Sequence, residues 1–214
     1  MNSIRKKIEA IVPVHALLLI AAMLGLNFVT YFGTRLFTTG RYHYNIETAL
    51  DRMLPVVPFF TVFYLLAFAQ WITCYLLIGR GGKAHYCRFY YGEMIAKCIC
   101  LVIFLVFPTT LNQPAVTGNG IFEQLLRFVY SMDKPDNLFP SIHCLESWLC
   151  YRGCRKLSGL PRAFSGCNLL FTLLVFASTV LLKQHVLIDI AGGVAAVEIG
   201  LFLSGRILRK DGAR

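Results

Sequence analysis

One stretch of the sequence, STVLLKQHVLIDIAGG at residues 178–193, places a histidine and an aspartate four positions apart. On a helix, residues four apart lie on the same face, so the Asp189 carboxylate can hold one imidazole nitrogen of His185. The other nitrogen is then free to attack an electrophile or to carry a proton. The pair predicts a nucleophile with its orienting partner, and Lys183, two residues before the histidine, supplies a cation for an anionic substrate.

A second stretch, DNLFPSIHCLESW at residues 136–148, supplies another histidine directly after a turn signal. Pro140 and Ser141 predict the start of a helix, because proline is unfavourable inside a helix and serine is a preferred first cap. His143, delivered from this separate segment, could act as a general acid and base. Glu146, three residues later, either tunes this histidine or bonds a neighbouring helix, and the sequence favours neither.

The elements that must position these residues are membrane helices. Of the 214 residues, 57% are hydrophobic and only 15% are charged, and the mean hydropathy is +0.61. Soluble domains carry more charge than this. The composition therefore predicts an all-α membrane protein. Ionisable side chains at membrane depth are costly, so His143, His185 and Asp189 are candidate functional residues.

Six apolar runs are judged against the roughly 20 residues that a membrane-spanning helix needs. The fourth and fifth runs are short, and the fourth carries His143 and Glu146. The fourth run is included because the charge bias requires an even number of spans. The predicted spans are residues 11–32, 54–78, 91–106, 138–154, 168–182 and 186–207.

The basic residues predict how these spans are oriented. The formal net charge of +10 could indicate nucleic-acid binding, but the excess flanks apolar runs and does not follow one soluble face. With the amino terminus inside, fourteen of the 21 Lys and Arg fall on one side, which the positive-inside rule assigns to the cytoplasm. We therefore expect a multi-pass protein of the plasma (inner) membrane, with cytoplasmic termini, an outward-facing site and no nucleic-acid partner. The fourteen are Arg5, Lys6, Lys7, Arg80, Lys83, Arg88, Arg152, Arg155, Lys156, Arg162, Arg206, Arg209, Lys210 and Arg214.

Two outer loops are predicted to hold short interfacial helices. In residues 38–58, apolar side chains recur at Ile46, Leu50 and Met53 before Pro55 ends the pattern. Residues 118–132 repeat the pattern, with Phe122, Leu125, Leu126 and Val129 on one face.

The last predicted span carries small residues at a four-residue interval. These residues, which would let another helix approach closely, are Gly192, Ala196, Gly200 and Ser204. No internal repeat or low-complexity linker is detectable in the sequence. We therefore predict that residues 1–214 form a single six-helix membrane domain.

Three segments resemble the motifs of the type 2 phosphatidic acid phosphatase superfamily. FPSIH at residues 139–143 is similar to that family's P-S-G-H element, and Ser178, His185 and Asp189 match the frame of its S-R-x5-H-x3-D element. FPTTLNQP at residues 107–114 stands where the family has its first motif, K-x6-R-P. The resemblance covers about residues 54–204 and is closest to the branch that includes inositol phosphorylceramide synthases and small bacterial membrane phosphatases.

This resemblance implies phosphomonoester hydrolysis through a phosphohistidine, or phosphoryl transfer to another alcohol, with no metal or cofactor. His185 would attack phosphorus, Asp189 would orient His185, and His143 would protonate the leaving oxygen and then activate water. Ser141 and nearby backbone N–H groups would hold phosphate oxygens at the start of the fourth helix, where the helix dipole favours an anion.

Three cations of the family motifs are replaced in this chain. Gln113 stands in place of the first motif's arginine, Val106 in place of its lysine, and Thr179 in place of the third motif's arginine. Each replacement removes charge-assisted hydrogen bonds to phosphate, which are about twice as strong as neutral ones. Lys183 and Gln113 are the substrate-binding candidates that would compensate, although a lysine cannot reproduce a bidentate guanidinium.

Three functions stay open at this point. The first is an integral membrane phosphatase that hydrolyses a lipid phosphate or diphosphate at the outer membrane face. The second is a phosphotransferase of the same fold that moves a phosphoryl or phospho-head group to an alcohol acceptor. The third is a non-catalytic protein that binds lipid phosphates in a degenerate site. All three imply a phosphorylated lipid and a bilayer as partners, and none predicts an oligomeric state.

Overall fold

The computed structural model of this protein describes residues 14–211, which are mostly helical. The α-helices in chain order are α1 (Val14–Phe28), α2 (Thr34–Thr38), α3 (Ala49–Met53), α4 (Thr61–Gly79), α5 (Lys83–Val106), α6 (Ile121–Met132), α7 (Ile142–Cys154), α8 (Arg162–Leu181) and α9 (Leu187–Asp211). A π-helical turn at Val29–Gly33 joins α1 to α2, and a 3₁₀ turn at Pro58–Phe60 leads into α4. Two short strands, β1 (Tyr44–Asn45) and β2 (Thr109–Thr110), pair in parallel.

Within the described residues, five helical segments are long and apolar enough to cross a membrane. They are Ile20–Thr38, Pro58–Gly79, Lys83–Val106, Arg162–Leu181 and Leu187–Arg209. A mostly helical membrane protein is therefore confirmed, but the count of six spans is not. The predicted fourth span corresponds to α7, which has only 13 residues. The first predicted span began at Ile11, and residues 11–13 lie outside the described part of the chain.

Helix α7 is a short, central helix that is surrounded by other helices. It packs against α4, α8 and α9, and its Leu145, Leu149 and Cys150 side chains are fully buried. A helix that contacts protein on most sides can carry polar residues as long as these find partners. This explains why α7 has a weak apolar signal in the sequence.

The small-residue stripe of α9 provides close helix packing, as predicted. Helices α5 and α9 form the most extensive helix pair of the described chain. A Cβ atom on Gly200 would overlap the carbonyl oxygen of Gly92 in α5. A Cβ atom on Gly193 would lie 2.6 Å from the carbonyl oxygen of Ser141, directly before α7. Gly200 of the stripe thus lets α5 approach the last helix closely, and Gly193, which lies beside the stripe and is not part of it, does the same for the start of α7.

The two predicted amphipathic segments contain α3 and α6. In α6, Leu126 and Val129 are buried, whereas Ile121 and Phe128 are exposed. In α3, the capping box of Thr48 and Asp51 fixes the first turn, and Leu50 and Met53 are exposed. Location of either helix at a membrane interface stays a prediction.

Candidate active site

The predicted contact between His185 and Asp189 forms, but His185 lies in the turn before α9 and not on the same helix as Asp189. Nδ1 of His185 lies 3.1 Å from Oδ2 of Asp189, and the same oxygen accepts a hydrogen bond from the backbone N–H of Val186 at 3.0 Å. Asp189 is completely buried, so its carboxylate is fixed by these partners. The bond to Nδ1 leaves Nε2 of His185 as the nitrogen available for chemistry.

The turn between α8 and α9 sets the direction of His185. Lys183 adopts a left-handed conformation, with φ of 51°, just after α8 ends. The backbone N–H groups of Gln184 and His185 then donate to the carbonyl oxygen of Thr179, at 2.9 and 3.0 Å. A left-handed residue after a helix commonly satisfies the last carbonyl groups in this way. The turn brings Gln184 and His185 back over the end of α8.

His143 reaches the same place from the first turn of α7. The Ser141 hydroxyl caps this helix by accepting a hydrogen bond from the N–H of Cys144, and the N–H of Ser141 donates to the carbonyl oxygen of Asp189 at 3.1 Å. The two segments that carry the histidines are thereby joined directly. The ring centres of His143 and His185 lie 6.5 Å apart, close enough for both side chains to contact one phosphoryl group.

Aromatic side chains fix the orientation of His143. The Tyr64 ring stacks on His143 with ring centres 4.1 Å apart, and Trp71 and Phe68 lie at 5.2 and 5.7 Å. The Tyr64 hydroxyl donates to Asp133, which also accepts a hydrogen bond from Tyr31. A ring packed in this way has little rotational freedom, so His143 is preorganised toward His185.

Both histidines line a cavity of about 420 Å³. Its wall is formed largely by apolar and aromatic side chains of α1, α4 and α6. Such a lining is typical of sites that bind mainly apolar ligands. The residues of the wall are Leu24, Asn27, Phe28, Tyr31, Phe32, Tyr64, Leu65, Phe68, Trp71, Phe128, Val129, Met132, Asp133, Asp136, Asn137, Leu138, Ile142, His143, Gln184 and His185.

Two buried side-chain nitrogen atoms in this wall have no hydrogen-bond partner within residues 14–211. They are Nε2 of His143 and Nε2 of Gln184, whose side chain is only 2% exposed. A buried side-chain NH₂ group without a hydrogen-bond partner is unfavourable. An oxygen atom of a bound ligand could accept a hydrogen bond from it. The sequence analysis missed Gln184, although a polar residue beside His185 in an apolar run was a usable signal. It also missed Tyr64 and Asp133, for which the sequence offered no signal.

The three predicted substrate-binding residues are not part of the cavity wall. Ser141 is fully buried as the cap of α7. The Lys183 ammonium donates to the carbonyl oxygen of Asp51 at 2.5 Å, and Nε2 of Gln113 lies 3.4 Å from the carbonyl oxygen of Lys183. Contacts of these side chains with phosphate stay predictions. In this conformation, Lys183 and Gln113 stabilise the turn that carries His185.

Asp51 connects helix α3 to the same turn. Its Oδ1 accepts a hydrogen bond from the N–H of Leu187, the first residue of α9, at 2.8 Å. Burial acts to raise the pKa of Asp51, but hydrogen bonds from Thr48 and Leu187 outweigh it and hold the pKa below the usual value. Asp51 therefore stays ionised and caps α9, where a negative charge is favourable.

A second polar cluster lies inside the helix bundle and is separate from the two histidines. The Lys97 ammonium contacts Glu93 at 2.5 Å and Glu146 at 2.7 Å, and Glu146 also accepts hydrogen bonds from Asn27 and Tyr75. Glu93 and Lys97 are four positions apart in α5, so this ion pair lies within one helix. Of the two roles considered for Glu146, contact with a neighbouring helix is the one observed.

Comparison with known proteins agrees with this geometry. A family model described as the PAP2 superfamily matches residues 39–203, which include both histidines, Asp189 and most of the cavity wall. Neither the search of curated proteins nor the search of solved structures gives a match. The match extends over most of the chain, and so this protein belongs to the PAP2 superfamily, the superfamily of type 2 phosphatidic acid phosphatases.

Proposed function

We propose that this protein is an integral membrane phosphatase that hydrolyses a lipid phosphate or diphosphate through a phosphohistidine intermediate. Membership of the PAP2 superfamily supports a phosphatase-like function on lipid phosphates. The observation that carries the finer proposal is the His185–Asp189 pair opposite His143 across a largely apolar cavity. A nucleophile with its orienting carboxylate, facing a separate acid, is the arrangement that covalent phosphoryl transfer needs.

Each step of the mechanism uses one of these side chains. Nε2 of His185 attacks phosphorus while His143 donates a proton to the departing alcohol oxygen, which breaks the P–O bond and leaves phosphohistidine. Asp189 stabilises the positive charge that His185 acquires. His143, now neutral, takes a proton from water, and the resulting hydroxide attacks phosphorus and releases phosphate. If an alcohol takes the place of water, the phosphoryl group is transferred to that alcohol. Hydrolysis and phosphotransfer therefore use the same side chains.

The cavity wall supports a substrate that arrives from the bilayer. Phe28, Phe68 and Phe128 line the cavity and are about half exposed, at 64%, 46% and 54%. Exposed aromatic side chains on the flank of a membrane helix contact lipid at no cost. A lipid phosphate could therefore enter sideways, with its acyl chain remaining among these rings.

The mechanism is tested with variants of the two histidines. We expect His185→Ala to lower phosphate release from lipid phosphates by at least about a thousandfold, because the covalent step is lost. We expect His143→Ala to leave a trappable phosphoenzyme on a substrate with an activated leaving group, because only the proton donor and water activation are lost. His43→Ala, which does not alter the cavity wall, serves as the control. Normal turnover by His185→Ala would refute the mechanism.

Free phosphate measured with and without alcohol acceptors separates hydrolysis from phosphotransfer. A phosphotransferase would form a phosphorylated acceptor and release little phosphate. Binding of a lipid phosphate that persists in His185→Ala, with no turnover by the unaltered protein, would support the non-catalytic alternative instead.

We also propose that the site faces outward across the plasma membrane, with both termini in the cytoplasm. The basic clusters of the sequence support this orientation. In a background with the exposed Cys98 and Cys167 replaced by serine, we expect an impermeant maleimide to label Ser131→Cys in intact cells but not Ser158→Cys. The reverse labelling pattern would overturn the orientation.

A further inference from the structure

The cavity wall contains acidic residues but no lysine or arginine within residues 14–211. Three cations from neighbouring parts of the fold contact other groups. Lys183 donates to the Asp51 carbonyl oxygen, Arg35 pairs with Asp136 at 2.5 Å, and Lys97 lies between two glutamates. Apart from the proton that His143 carries in the proposed mechanism, the wall formed by the described residues offers no positive charge to balance a phosphate dianion, which is unfavourable in a site partly shielded from water.

Asp133 carries a negative charge that no described cation contacts. Its two carboxylate oxygens accept hydrogen bonds from the hydroxyl groups of Tyr31 and Tyr64, and it forms no salt bridge with any residue of the range 14–211. Hydroxyl donors satisfy part of its hydrogen-bonding capacity but carry no charge, and the Arg35 guanidinium, which donates to the Tyr31 hydroxyl, forms its salt bridge with Asp136 and not with Asp133. The carboxylate therefore presents net negative charge to the cavity.

Tyr64 places this charge close to the expected position of phosphate. Its ring stacks on His143, and its hydroxyl donates to Asp133, so one phenol side chain separates the carboxylate from the candidate acid. Phe68, Trp71 and Phe128 line the adjoining wall. The face of an aromatic ring attracts an alkylammonium group, and a carboxylate adds charge complementarity.

We propose that Asp133 and the adjoining aromatic rings form a subsite for an ammonium group, so that the substrate is a phosphate ester bearing an amine a few atoms from phosphorus. This inference rests on the proposed function for the location of the phosphate. The substrate then supplies a positive charge of its own. This charge compensates for the lysine and the two arginines of the family motifs, at whose positions this chain has Val106, Gln113 and Thr179. The phosphate oxygens then need only neutral donors, and Gln184 is placed to be one.

Two kinds of lipid have this chemistry. One is a phosphodiester with an aminoalkyl head group, and the other is a phosphate monoester of a long-chain amino alcohol. In both, N-acetylation removes the charge and changes little else. Matched pairs of free and acetylated lipids therefore test the subsite and identify which kind of lipid it accepts.

The experiment measures binding, so it does not depend on turnover. Purified His185→Ala protein is titrated by calorimetry with dihexanoyl phosphatidylethanolamine, sphingosine 1-phosphate and their N-acetylated forms. We expect the free amine of at least one pair to bind about tenfold more tightly or better, since a charge-assisted hydrogen bond to Asp133 would be lost on acetylation. Asp133→Asn should abolish that preference, and Tyr31→Phe, which keeps the carboxylate charge, should retain it.

Equal affinity within both pairs, or no binding of either amine, would overturn the subsite. A preference that survives Asp133→Asn would also overturn it. The acetylated pairs keep the test valid if Asp133→Asn fails to fold. Failure of the proposed function is a separate result, since it would appear as normal turnover by His185→Ala.

Discussion

The side chains around His143 and His185 offer a phosphate neutral donors in place of cations. The unpartnered amide of Gln184 and the free nitrogen of His143 point to a site that holds a ligand with few but well-placed hydrogen bonds. Neutral hydrogen bonds are about half as strong as charge-assisted ones, so each one matters more when no arginine is present. At the scale of single residues, Gln184 is the substrate-binding candidate that the structure adds.

We predict that Gln184→Leu lowers kcat/KM for a lipid phosphate by about 10- to 100-fold, because the substrate loses a buried donor. Gln184→Glu should lower it further, since a carboxylate would repel phosphate. Steady-state phosphate release measures both effects. Gln124→Leu, on the exposed side of α6, is the matched control and should leave the rate unchanged. An unchanged kcat/KM in Gln184→Leu would remove Gln184 from the site.

At the scale of elements, the site depends on how the start of α7 packs against α9. The backbone bond from Ser141 to Asp189 and the close approach at Gly193 fix the two helices together one turn from the histidines. Neither contact involves a side chain that reacts. The distance between His143 and His185 is therefore set by backbone packing, which tolerates little added volume.

We predict that Gly193→Ala lowers activity by more than about tenfold and destabilises the fold by about 1–3 kcal/mol, because its Cβ would meet the α7 backbone. The expected contacts are 2.6 Å to the Ser141 oxygen and 3.0 Å to the Leu145 nitrogen. Gly166→Ala in α8 is the control, since nothing lies within 4 Å of its added Cβ. Phosphate release and thermal unfolding are measured for both variants and compared with those of the unaltered protein. A fully active, stable Gly193→Ala protein would contradict this account.

At the scale of the whole molecule, one buried ion cluster links three parts of the bundle. Lys97 of α5 contacts Glu146 of α7 and donates to the carbonyl oxygen of Met23 in α1 at 3.2 Å. Lys97, Glu93 and Glu146 are each at most 1% exposed. Breaking a buried pair leaves an uncompensated charge, so the cluster constrains how α1, α5 and α7 assemble.

We predict that Lys97→Met destabilises the protein by about 3–5 kcal/mol, because two buried carboxylates lose their cation. The triple variant Glu93→Gln, Lys97→Met, Glu146→Gln should recover much of this loss, since it removes the charges together. Thermal unfolding in detergent provides the comparison. If Lys97→Met unfolds at the same temperature as the unaltered protein, the cluster has no structural role.

The sequence alone was sufficient for features that depend on neighbouring positions. Apolar runs indicated membrane helices, the four-residue spacing of His185 and Asp189 indicated their contact, and Ser141 indicated the start of α7. The small-residue stripe of α9 was predictable for the same reason. Helical periodicity, capping and the short turn that joins His185 to α9 all act over a few residues, so the pattern itself contains the information.

The tertiary structure decided which distant residues surround the two histidines. Tyr64 and Asp133 come from separate elements and meet at His143 only after the bundle has formed. The left-handed turn at Lys183 directs its ammonium to Asp51, although the sequence suggested a role in phosphate binding. Helix α7 is enclosed by other helices, and its polar residues find partners there. The sequence of α7 therefore has a weak apolar signal, which did not reveal that the helix is central. Side-chain direction and burial depend on the packing of whole helices, and the spacing of residues along the chain does not determine them.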